Sequence, residues 1–79
     1  NEDMSKEDRS EWRPFIERAC KAVGVDPAGI DEDLILELTA RIAHEGERPM
    51  APVGAYILGL AVAAGGDPVE LRAKIEDAI

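Results

Sequence analysis

The chain has 79 residues, 46% of them hydrophobic but only 4% aromatic, and a formal net charge of −8 at pH 7. That length fits one small domain, and an aliphatic, alanine-rich apolar fraction with no alternating Val/Ile/Thr/Tyr run points to packed helices and excludes a β-sheet. The acidic balance and dispersed basic residues argue against nucleic acid and anionic membrane surfaces as ligands, and the apolar run over residues 53–64 is too short to cross ~30 Å of hydrocarbon.

Residues 1–9 are polar and charged, with Met4 alone available for burial. They are expected to form a disordered leader, because burial there cannot offset the entropy of ordering, and a single helical domain is expected over 10–79. In the first helix, expected over 10–23, Trp12, Phe15, Ile16, Ala19, Cys20 and Val23 share one face, and Gly24 is suited to stop the helix in a left-handed conformation. With Ser10 as its N-cap, Pro14 falls at the fourth helical position, where its missing N–H is first needed. Either that first turn is irregular or the helix starts later.

The Asp26-Pro27-Ala28-Gly29 stretch reads as a turn or one short helical turn. Asp31 then caps a second helix, with Glu32 and Asp33 complementing the positive end of its dipole. Ile35, Leu38 and Ile42 face inward beside Leu34 and Thr39, and Gly46 ends the helix with His44 and Glu45 in its last turn.

A third helix is expected to start with Pro52 at its first position, where a lost donor costs nothing. Val53, Tyr56, Ile57, Leu60, Ala61 and Ala64 form one apolar face, while Leu58 and Val62 occupy another. A helix apolar nearly all round belongs at the centre of a bundle. Ala51, Ala55, Gly59 and Ala63 also make a ridge of small side chains along which another backbone can approach. After Gly65-Gly66, the sequence Asp67-Pro68-Val69-Glu70 carries an N-cap acid, a proline at the first helical position and a glutamate at the third. It opens a fourth helix, with Val69, Leu71, Ile75, Ala78 and Ile79 available to pack. The expected fold is therefore all-α, a compact four-helix bundle-like domain with a central apolar third helix.

Candidate chemistry is concentrated where the second helix meets the third. His44 and Arg48, beside the backbone N–H groups of Val53 and Gly54 at a helix start, form a candidate anion-binding set, since helix N-termini attract anions and guanidinium suits carboxylate or phosphate. The structural alternative has His44 favouring a helix C-terminus and Arg48 pairing with Glu45, Glu47 or a carbonyl to hold the turn.

No metal ligand set is expected, because one histidine with Glu45 and Glu47 is too few on too short a loop. Cys20, the single cysteine, can form no internal disulfide and lies on an apolar face, so it reads as packing. The acids at 31–33 and 76–77 read as solvated, the first group as a cap, and not as an acid/base pair. Ser5 and Ser10 lack the Asp-Ser-Leu context of an acyl carrier. No catalytic residue and no cofactor is therefore expected. Trp12, Leu58 and Val62 are the candidate interface residues if their side of the third helix is uncovered, Trp12 otherwise closing the core. Cytoplasm is the expected compartment, with no signal-peptide pattern in these residues.

From Trp12 onward the chain resembles a small helical domain of unknown function common in actinobacteria. The resemblance rests on Trp12 opening the first helix, Val23-Gly24-Val25-Asp26 closing it, Ala43-His44 followed by Arg48-Pro49 and Ala51-Pro52, and an apolar helix carrying Gly59. Proteins of that kind occur alone or attached to the molybdopterin guanylyltransferase that helps make molybdenum cofactor. The resemblance implies an accessory role near that assembly; a Gly-rich nucleotide loop is absent, so this chain is not itself the transferase. The expected function is a non-enzymatic accessory or interaction module with a protein partner or a second copy. The alternative is a module that holds a phosphate, pterin or nucleotide group at the start of the third helix.

Overall fold

A computed structural model describes the backbone of residues 2–79 and the side chains of residues 12–79. The described residues form four α-helices and a 3-10 turn with no strand, the all-α class that the composition implies. They divide into two units, residues 1–30 and 31–79.

In the first unit, α1 (Glu2–Val23) starts before the expected Ser10 and contains Pro14. Glu2, Met4, Lys6 and Glu7 are all good helix formers, which favours the longer helix. Of the leader expected over 1–9, the side chains lie outside the described residues. Gly24 takes a φ of +79°, the left-handed conformation expected of it. The Val25 N–H donates to the Cys20 carbonyl at 2.8 Å and the Gly24 N–H to the Lys21 carbonyl at 3.4 Å, closing α1 with a Schellman motif. Asp26 caps the 3-10 turn Pro27–Gly29 through the Ala28 N–H. The Arg13 guanidinium donates to the Pro27 carbonyl at 3.0 Å and the Ile30 carbonyl at 3.4 Å, holding that turn against α1. Cys20 is buried, whereas Trp12, Phe15 and Val23 of the same expected face are exposed.

The second unit contains α2 (Glu32–Glu45), α3 (Met50–Ala63) and α4 (Pro68–Asp77). Here α3 packs against both other helices, and α2 also meets α4. Local chemistry sets the starts of α2 and α4: the Asp31 carboxylate accepts from the Leu34 N–H at 3.1 Å, and Asp67 accepts from the Glu70 N–H at 3.0 Å. Leu38, Ile42 and Leu58 are the buried centre, with Leu34, Ile35, Ala51, Val62, Leu71 and Ile75 packed around them. Complete burial of a side chain such as Leu38 stabilises by roughly 2–3 kcal/mol.

Two features of α3 differ from expectation. It begins at Met50 and not at Pro52, because the turn before it already hydrogen-bonds: the Met50 N–H donates to Glu47 at 2.8 Å and the Ala51 N–H to Arg48 at 3.1 Å. Pro52 still lies within the first turn, where no donor is required. The buried side of α3 is also reversed. Ala51, Gly54, Ala55, Leu58, Ala61 and Val62 turn inward, while Val53, Tyr56, Ile57 and Leu60 turn outward.

Gly54 explains the choice of side, since a Cβ there would strike Ile42 Cδ1 and its absence lets α3 settle closely on α2. At the far end Gly65 takes a φ of +109°, and the Gly66 N–H reaches the Ala61 carbonyl at 3.2 Å, a second Schellman closure.

Candidate functional site

The outward side of α3 is the most distinctive surface of the second unit. Val53 is 44% exposed, Tyr56 68%, Ile57 50% and Leu60 56%. Val53 and Ile57, like Tyr56 and Leu60, are four positions apart, and Val53 and Tyr56, like Ile57 and Leu60, are three apart, so the four form a stripe along one side of the helix. No charged residue occurs anywhere in 49–66, and so no carboxylate or ammonium on the helix interrupts the stripe. Beside it lies a shallow groove bordered by Met50, Val53 and Ile57 of α3, Ile75 of α4, and Ile79. Large apolar side chains exposed together, and not singly, are what a docking surface presents.

This surface is not the interface expected from the sequence. Leu58 is only 3% exposed and belongs to the buried centre, which closes it to a partner, and Val62 is partly buried against that centre. The correction follows from the face reversal: in a helix apolar on every side, the side carrying Gly54 fits the neighbouring helix and the bulkier side is left outside. Trp12, the third residue of that set, is exposed on α1.

The candidate anion-binding set is likewise not assembled as expected. His44 lies in the last turn of α2 and Arg48 in the turn before α3; both are exposed, and neither side chain has a hydrogen bond or ion pair among the described residues. With α3 capped by Pro49, the N–H groups of Val53 and Gly54 fall in the helix interior, where the Pro49 and Met50 carbonyls are their partners. Gly54 is buried under Ile42, which closes the backbone to any ligand on that side. Among the described residues, no three His, Cys, Asp or Glu side chains are grouped to hold a metal ion. No described helix is long and apolar enough to cross a membrane.

Residues 7–79 match the family described as Domain of unknown function (DUF6457). The chain belongs to that family. No curated protein and no solved structure matches it.

This DUF6457 domain also carries an ion-pair ladder between α2 and α4 that the sequence reading passed over. The Arg72 guanidinium donates to Glu37 at 3.0 Å and to Glu76 at 2.8 Å. Arg41 meets the other Glu76 oxygen at 3.1 Å and grips Glu45 through two nitrogens, at 3.1 and 3.3 Å. Glu76, read from the sequence as solvated, is thus shared by two arginines. The hydrogen bond from Arg72 holds its carboxyl below the ordinary value of 4.5, burial opposes this, and the charge of Arg41 adds to it. The four-residue spacings of Arg41 with Glu45 and of Arg72 with Glu76 were a readable signal. The ladder fastens α4 to α2 on ground separate from the α3 stripe, and its arginines are already occupied by carboxylates. Its chemistry is structural.

Proposed function

We propose that this DUF6457 domain is a non-enzymatic protein-docking module and that its docking surface is the outward side of α3. The observation that carries this reading is the stripe of Val53, Tyr56, Ile57 and Leu60, each near half exposed or more, on a helix without a charge. Burial of apolar area at about 25 cal/mol per Å² supplies the drive for association, and a helix without charge gives charged competitors nothing to pair with. The resemblance to domains attached to molybdopterin guanylyltransferase supports an accessory role beside molybdenum-cofactor assembly.

The test is affinity capture from the host with the wild-type chain, Leu60→Glu and the surface control Lys74→Glu, with circular dichroism verifying that all three fold alike. A partner held by the wild type and the control but lost with Leu60→Glu is the expected result. Equal recovery by all three chains would overturn the assignment of the surface.

A further inference from the structure

We infer that the outward side of α3 binds a second copy of this chain, the two α3 helices packing antiparallel about a two-fold axis. The inference rests on the reading of that side as a docking surface and names its occupant. Four observations converge on a second copy.

The first is self-match. Val53, Tyr56, Leu60 and Ala63 follow a three–four–three spacing along the outward side, with Val53, Tyr56 and Leu60 among the exposed large residues and Ala63 exposed beside them. An antiparallel pair centred on position 58 sets Tyr56 of each copy against Leu60 of the other, and Val53 against Ala63. Large residues then meet large ones at the middle, and a large residue meets a small one at each end, the interdigitation that closely packed helices require. Isologous contacts of this kind close on themselves, as most soluble oligomers do.

The second is Gly59. It lies in the interior of α3, is exposed, and has nothing within 4 Å of where a Cβ would stand. Glycine is unfavourable against alanine at an exposed interior helix position, and no contact within the chain uses the missing side chain. A second helix crossing beside Tyr56 and Leu60 uses it, as room for its backbone to approach.

The third is charge. With a net charge of −8, two copies repel over most of their surfaces. The α3 side has no charge over 49–66, so it is where copies meet without opposing carboxylates. The same lack of charge gives a basic partner nothing to recognise there.

The fourth is area. Met50, Val53, Tyr56, Ile57 and Leu60 expose on the order of 500 Å² in one chain, so even complete burial of both faces brings the total only to roughly 1,000 Å², the lower limit of a specific interface. The association is accordingly reversible and weak.

Sedimentation equilibrium of the full chain up to millimolar concentration tests this. The expected result is a reversible monomer–dimer equilibrium that Leu60→Glu abolishes. Gly59→Leu, whose Cβ meets nothing within 4 Å inside the chain, weakens it by about tenfold or more while leaving the monomer's thermal transition in place. A chain that stays monomeric throughout, or a dimer indifferent to Leu60→Glu, overturns the proposal. If the chain is monomeric but Leu60→Glu still abolishes partner capture, the second copy is refuted and the docking surface stands. If it is monomeric and capture is indifferent to the substitution, both readings fail.

Discussion

A Cβ added at Gly54 would run into Ile42 Cδ1, whereas one added at Gly59 would meet nothing. The two glycines therefore respond in opposite directions to substitution. Gly54→Leu places a whole side chain where α3 rests on a buried isoleucine, and overpacking of that kind is expected to cost about 1–3 kcal/mol. Gly59→Ala removes backbone freedom from the unfolded chain at an open helical position and is expected to add up to about 1 kcal/mol. Urea denaturation of dilute protein, followed by circular dichroism, measures both. Equal losses at the two positions would mean that α3 does not approach α2 at Gly54 as described.

Between helices, the shared carboxylate of Glu76 makes the joining of α2 and α4 sensitive to pH. Its folded-state pKa lies below the ordinary 4.5, so in that interval the unfolded chain binds more protons than the folded one. The stability it contributes is fully present above the ordinary value and is lost as pH falls through the lowered value. Glu76→Gln removes the charge and keeps the shape, so the variant should melt below the wild type at neutral pH, with the gap closing in acid. Thermal melts from about pH 7 to about pH 2 read this, and a gap that stays constant with pH would show that Glu76 acts without its charge. Such a ladder is only half legible in a sequence. The pairs within one helix follow from spacing, but Arg72 meets Glu37, and Arg41 meets Glu76, only because the helices lie side by side. The caps at Asp31 and Asp67 and the left-handed Gly24 were fully legible, because a few adjacent residues decide them. The buried side of α3 was not: when apolar residues occur all round a helix, periodicity carries no direction, and shape complementarity at Gly54 settles it. Leu58 and Val62 lie on the covered side for that reason, and the N–H groups of Val53 and Gly54 are taken up inside the helix because it begins before Pro52.

Across the whole chain, two electrostatic effects oppose one another, and their response to salt shows which is larger. A net charge of −8 on 79 residues favours the unfolded state through self-repulsion, which added salt screens over a Debye length of about 10 Å at 0.1 M. The Glu37–Arg72–Glu76–Arg41–Glu45 ladder is attractive, and salt weakens it, but its ions are in contact and Glu76 is shielded by its partners, so screening reaches it less. Repulsion among many separated carboxylates is the more readily screened of the two. The melting temperature of dilute protein at neutral pH should therefore rise between low salt and about 0.5 M sodium chloride. In Glu76→Gln the rise should be steeper, since part of the opposing attraction is gone. Salt also screens the repulsion between copies, so the self-association proposed for α3 should tighten over the same range, as read by sedimentation. A melting temperature that falls with salt would place the ladder above the net charge in the stability of this domain, and tightening without any thermal gain would confine the benefit of screening to contacts between copies.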